Sequence, residues 1–227
     1  MSPSGIDESL FRARNPGFCL TFSRDVTPEA VLERYGAIPS MAENAGPADA
    51  NLLVPRGGDG TLLRVGELGT WSFCFESPGV EGAMPWTLSE LSRETETLAY
   101  DCGATGMDIV ERWVDGHPLE QFEPAVFSTL RAAGTPLLWE YTQRHPEGRA
   151  DVEVSPRRVQ AVALQAIHDR VGAHVTHELL MQPLLSVWLP RRTRQSRPAE
   201  VAYPPRVTPA STTGLGSYLG SLPPLEE

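Results

Sequence analysis

Two pairs of apolar segments, each joined by a short turn that contains glycine, constrain the fold more than any other feature of the sequence. Residues 62–65 and 71–75 flank a turn region at 66–69. Residues 107–113 are followed by Asp115-Gly116, a dipeptide that favours a tight hairpin turn, and the chain then returns through a second apolar segment. Because hairpins place neighbouring strands antiparallel, the sequence predicts an α+β fold, a mainly antiparallel sheet with helices packed on it.

The first sixty residues add a strand, a helix and a loop to this prediction. Residues 18–23 are rich in aromatic and β-favouring side chains, which is typical of a strand. Thr27 and Pro28 predict the start of a helix, and Gly36 is well placed to end it. Residues 38–60 have neither helical nor strand periodicity, and they predict a long mobile loop.

Four more helices are predicted further along the chain. A capping box from Thr87 to Glu90 predicts a helix that extends to Leu98, and Glu94 and Glu96 are expected with Glu90 on its solvated face. The other three helices are predicted at 124–133, at 156–171 and directly after Thr176.

Length and composition indicate one domain with two flexible ends. The chain has 227 residues, enough to bury a core without disulfides or a metal. We predict a flexible N-terminus over 1–16, a single α+β domain over 17–190 and a disordered tail over 191–227. The tail is rich in proline, arginine and serine and offers few side chains to bury.

The charge of the chain is negative and uneven. The net charge is −10, and residues 1–150 contain 22 acids and 11 arginines, a net charge of −11. This field repels phosphate, so no binding to nucleic acid or to a membrane is expected, and a basic protein is the favoured partner. No signal-peptide pattern and no long apolar run occurs, and the three cysteines have no paired spacing, so the expected location is the cytoplasm.

One glycine-rich run could bind a nucleotide. The run from Gly57 to Thr61 reads GGDGT and is similar to the phosphate loop of NAD kinases and lipid kinases, where the aspartate belongs to the catalytic site. Such a loop follows a buried strand and opens a helix, whereas Pro55 precedes this one and Gly66 follows it closely. A flexible turn before a strand is therefore the favoured interpretation, and no cofactor is expected.

A second group, His174, His177 and Glu178, has the spacing of metal ligands on one helix face. Thr176 and Gly172 predict a helix break beside these residues, so they need not face one another. No metal is expected, and no serine or cysteine stands in a recognisable catalytic motif.

The candidate binding residues are Glu76, Glu81 and Trp86. They lie on or beside a loop rich in glycine and proline, where an aromatic side chain is a common contact anchor. The alternative for Trp86 is packing against the helix that follows it.

Several short segments together resemble one family. They read FCLTFSR at 18–24, TPEAVLERYGA at 27–37, RVG at 64–66, GTW at 69–71, FE at 75–76 and DG at 115–116 leading to FEP at 122–124. The resemblance covers about residues 17–190 and is to uncharacterised proteins common in Streptomyces-like actinobacteria. It implies a small cytoplasmic domain with no assigned activity and an acidic loop, which Glu76 and Glu81 match. All 19 basic residues are arginine, as a GC-rich genome would favour.

The function predicted from these features is a non-enzymatic protein-interaction domain of the immunity or regulatory type. The acidic field, the loop before Trp86 and the lack of a convincing catalytic set favour it. The alternative is a small enzyme or nucleotide binder that uses Gly57 to Thr61.

Overall fold

A computed structural model describes residues 17–77, 79–103, 107–145, 155–191 and 201–208. Within these ranges nine strands form one sheet, in the order β2-β9-β3-β4-β1-β5-β6-β7-β8, and every neighbouring pair is antiparallel. The strands are β1 Phe18–Arg24, β2 Glu43–Ala45, β3 Gly60–Leu68, β4 Trp71–Glu76, β5 Glu96–Cys102, β6 Asp108–Val114, β7 His117–Glu123, β8 Val126–Ala132 and β9 Leu184–Pro190. The helices are α1 Pro28–Tyr35, α2 Pro47–Leu52, α3 Pro85–Leu91, α4 Leu137–Arg144, α5 Pro156–Val171 and α6 His177–Leu180. The predicted α+β class is confirmed.

Helices cover both faces of the sheet and divide the core into two layers. Buried side chains of α4 and α5 pack with Phe18, Leu20 and Phe22 on one face. On the other face, residues of α1 and α3 pack with β3, β4 and Trp113. Successive side chains of a strand point to opposite faces, so Cys19, which lies between Phe18 and Leu20, belongs to the α1 side.

Local sequence signals explain the elements that were predicted correctly. The Thr27 hydroxyl accepts a hydrogen bond from the amide of Ala30, and Gly36 ends α1 in the left-handed conformation with a φ of 84°. Asp115 and Gly116 both have positive φ, which a type I′ turn between β6 and β7 requires. Helix α5 and the Thr176 cap of α6 are also as predicted.

Three sequence predictions are wrong at this level, and three elements were not predicted. Residues 126–132 form strand β8, because Ala125, with a φ of 62°, turns the chain back after β7 instead of starting a helix. Helix α3 ends at Leu91, and Leu98 lies in β5. The segment 38–60 contains a 3₁₀ turn, β2 and α2. Strands β5 and β9 and helix α4 were not predicted, and β9 joins β2 to β3.

Part of the predicted tail packs on the domain. Residues 201–208 lie beside β8, where the amide of Val207 donates to the carbonyl of Leu130 over 2.9 Å. Tyr203 packs its ring edge against Trp113, with ring centroids 5.7 Å apart, and its hydroxyl donates to the buried carboxylate of Glu111. These contacts attach residues 201–208 to the domain, while the boundaries predicted at 16/17 and 190/191 stay predictions. Residues 1–16, 192–200 and 209–227, which include the predicted N-terminal extension, lie outside the described residues.

Candidate functional site

The predicted site residue Glu76 is the centre of a buried hydrogen-bond network at the end of β4. Its carboxylate accepts hydrogen bonds from the amides of Gly82 and Glu81, over 2.5 and 3.1 Å, and from the Tyr35 hydroxyl over 3.2 Å. Thr61 adds a fourth hydrogen bond. Burial raises the pKa of Glu76 to about 7, and these hydrogen bonds oppose that rise.

The lack of side chains at Gly82 and Gly79 makes this network possible. A Cβ atom at Gly82 would overlap the Tyr35 hydroxyl and the Glu76 carboxylate, and one at Gly79 would overlap Thr61. The loop 79–83 therefore lies directly on the carboxylate. Because Glu76 is fully buried, it cannot touch a partner as was predicted, and its role is to hold this loop in place.

Glu81 and Trp86 are brought together by the same loop. The Glu81 carboxylate accepts hydrogen bonds from the Trp86 indole over 2.9 Å and from the Thr87 hydroxyl over 3.1 Å. Thr87 therefore lies inside α3, and its hydroxyl bonds to a carboxylate of the loop 79–83. It does not cap the start of a helix, so the predicted capping box is wrong. Both Glu81 and Trp86 are half-buried, and they fix the loop to the start of α3.

The run from Gly57 to Thr61 packs against β9. Cβ atoms at Gly58 and Gly60 would meet the ring of Trp188, and one at Gly60 would also overlap the carbonyl of Leu189. The run opens strand β3, so it does not lead into a helix as the phosphate loop of those kinases does. The glycines thus allow close packing of two chain segments.

A shallow cavity of about 180 Å³ lies between this run and the loop 79–83. Its charged lining residues are Asp59, Glu81 and Arg191, and the Arg191 guanidinium lies 3.5 Å from the Asp59 carboxylate. Two acids and one arginine that is already paired form a poor environment for nucleotide phosphates.

The described structure does not arrange His174, His177 and Glu178 as a group of metal ligands. His174 packs its ring against His168, and the imidazole of His168 accepts a hydrogen bond from the amide of Val175. Within the described ranges, no three His, Cys, Asp or Glu side chains are arranged to hold a metal.

Glu96 differs from its predicted position on a solvated helix face. It lies in β5, is 7% exposed and forms ion pairs with Arg112 and Arg170 over 2.6 and 2.8 Å. Burial opposes ionisation, but the two guanidinium groups outweigh it and lower the pKa of Glu96. This carboxylate links β5 and β6 to α5 and has a structural role.

A groove that sequence reasoning missed lies at the edge of β9. It has a volume of about 350 Å³. We call it the β9 groove and define it by six apolar lining residues, Ile38, Met41, Leu53, Val187, Trp188 and Leu189. It shares Leu189 with the smaller cavity, so the two depressions flank the end of β9.

Large apolar side chains are exposed around this groove. Ile38 is 64% exposed, Met41 66% and Leu52, next to Leu53, 82%. An exposed apolar patch of this kind is a common mark of a protein-binding surface. The sequence signal was available, since apolar residues recur through 38–54, but they were interpreted as parts of a loop.

Comparisons with known proteins agree with a domain of unknown role. Residues 5–181 match the model of a family of unknown function, DUF6461. No curated protein and no solved structure matches the chain. Among the described helices, none has the length and apolar character that a membrane span requires.

Proposed function

The chain belongs to this family of unknown function, and from its geometry we propose that it is a non-enzymatic domain that binds another protein through the β9 groove. The observation that carries the proposal is that two exposed apolar side chains, Ile38 and Met41, line an apolar depression. Burying apolar surface contributes about 25 cal/mol per Å², so covering these side chains favours binding of a partner.

The charge around the groove supports a basic partner. Glu33, Glu43 and Asp49 are exposed on α1, β2 and α2, the elements beside the groove. No basic residue occurs from Gly36 to Pro55. Exposed acids on these elements attract a positively charged partner and speed its association.

Glu81 and Trp86 support the same surface indirectly. They fix the loop 79–83, whose Val80 lines the cavity on the other side of Leu189. Their direct contact with a partner remains a proposal, and so do a cytoplasmic location, an immunity or regulatory role, an actinobacterial origin, and the lack of binding to nucleic acid or membrane.

Charged substitutions in the groove test the proposal. The chain and its Met41→Asp variant would be used as baits in lysate of the organism that encodes them, with quantitative mass spectrometry of captured proteins. Met181→Asp is the matched control, because Met181 is 53% exposed, lies after α6 and does not line the groove. We expect a captured protein that Met41→Asp loses and Met181→Asp retains.

Two results would contradict the proposal. Equal capture by Met41→Asp and by the chain itself would place the binding surface elsewhere. Turnover of a metabolite by the purified chain would show an enzyme.

A further inference from the structure

Among the described residues, no strand pairs with the outer edge of β9 along the β9 groove. Strand β2 pairs with β9 only from Leu184 to Ser186, whereas β3 pairs with it from Leu185 to Pro190. Among the described residues, β3 is therefore the one strand that pairs with Val187, Trp188 and Leu189. Alternate residues of a strand direct their amide and carbonyl groups to opposite sides, so part of this segment presents hydrogen-bonding groups to the groove.

We infer that the β9 groove receives an extended basic peptide segment of the partner, which adds to the sheet as a strand beside β9. This inference rests on the proposed function and specifies the partner's conformation. An added strand would continue the line of β2, which leaves the sheet edge at Glu43 because residues 39–41 form a 3₁₀ turn.

The groove lies at the edge of the strand and not on one face of the sheet. Val187 and Leu189 belong to the core layer of α1, whereas Trp188 packs with Leu62 in a separate cluster beside α2. All three line the groove, so it is bounded by side chains from both faces of β9. A peptide that lies there can place alternate side chains above and below the sheet, as strand addition requires.

The walls fit this geometry. Ile38 and Met41, just after α1, line the groove together with Leu53, just after α2. The open part of β9, from Val187 to Pro190, corresponds to about 13 Å of strand at about 3.3 Å per residue. The groove therefore accommodates about four residues of an extended chain.

At the opposite edge of the same sheet, an extended segment of the chain already pairs with the edge strand β8. There Arg206 forms an antiparallel bridge with Arg131 of β8, and the amide of Val207 donates to Leu130. The chain thus protects the β8 edge with an extended segment of its own, whereas the described residues leave the β9 edge open. Exposed strand edges readily pair with other chains.

Charge defines the class of peptide. The exposed carboxylates of Glu43 and Asp49 lie on β2 and α2, next to the open edge. The Arg34 guanidinium donates to the carbonyls of Leu91 and Arg93, so it is directed toward α3. A peptide with alternating apolar residues and flanking arginine or lysine residues fits this surface.

A displayed library of random linear peptides of about 12 residues, selected against the full chain, provides the probe. Selected peptides would be synthesised and their Kd measured with the chain, with Met41→Asp and with Met181→Asp. Each peptide would then be N-methylated at one backbone position at a time. We expect the selected peptides to be basic and to have alternating apolar residues. Methylation at every second backbone position should weaken binding about tenfold, whereas methylation at the positions between should change Kd less than about twofold.

The outcomes separate this inference from the proposed function. Loss of binding in Met41→Asp with no alternation in the methylation series would overturn strand addition and leave the groove as a binding surface. Binding that Met41→Asp does not weaken would contradict both. Self-association of the full chain that Met41→Asp abolishes, seen by analytical ultracentrifugation, would make a second copy the occupant and overturn the peptide.

Discussion

The pKa of Glu76 makes the stability of the domain depend on pH in a specific direction. Burial raises this pKa from 4.5 to about 7. Below pH 4.5 the carboxyl is protonated in both the folded and the unfolded chain. As the pH rises from 4.5 to about 7, the unfolded chain loses the proton while the folded chain retains it, so the free energy of unfolding falls, and above about 7 the fall stops.

The size of the effect follows from the two pKa values. A difference of about 2.5 at about 1.4 kcal/mol per pKa unit corresponds to about 3 kcal/mol over the full range. The Glu76→Gln variant lacks this titrating group, so its free energy of unfolding should depend less on pH than that of the wild-type chain. Burial also raises the pKa of Glu111 to about 7. Because Glu111 is present in both proteins, its contribution to the pH dependence cancels in the comparison.

Urea unfolding followed by tryptophan fluorescence provides the measurement. From about pH 5 to pH 8 the unfolding free energy of the wild type should fall by about 2 to 3 kcal/mol more than that of Glu76→Gln. Glu67→Gln, at an exposed position of the neighbouring strand β3, is the control and should keep the wild-type dependence. Parallel curves for the wild type and Glu76→Gln would refute the reasoning, because the buried carboxyl would then titrate alike in both states.

Three further predictions concern the loop, the C-terminal segment and the glycine run. Gly82→Ala should lower the unfolding free energy by about 3 kcal/mol in urea unfolding, since the new methyl group overlaps buried polar atoms, whereas Gly46→Ala, with open space around it, should cost less than about 1 kcal/mol. Truncation after Arg191 should cost about 2 kcal/mol, and Tyr203→Ala should reproduce most of that loss; an unchanged Tm would show that the segment is not part of the fold. ATP and NAD should not raise the Tm in a thermal-shift assay, and stabilisation that Asp59→Ala abolishes would contradict this.

Local signals explain which elements could be predicted. The turn at Asp115-Gly116 and the cap at Thr27 depend on residues that are adjacent in sequence, and both were found. Strand β8 was missed because Pro124 is a common first residue of a helix, while the positive φ of Ala125 is not encoded by a glycine. Strand β9 was missed because the segment 184–190 ends at the proline that marks the predicted end of the domain, although a proline is tolerated at the edge of a sheet.

The candidate site residues likewise have local features that the sequence predicts and tertiary features that it does not. Glu76, Glu81 and Trp86 lie within eleven residues of one another, and the structure does bring them together. Their burial could not be predicted, because it depends on Tyr35 and Thr61 from other elements. The predicted loop was therefore correct as a local unit, but its acids are directed inward.

The β9 groove illustrates why a binding surface can escape sequence reasoning. Its walls come from residues near 38–41 and 53, and its floor comes from 187–189, so more than a hundred residues separate the two parts. The match to the family ends at residue 181, before β9 begins at Leu184. The groove therefore depends on a strand that lies outside the matched residues, so its position becomes visible only in the folded chain, where β9 pairs between β2 and β3.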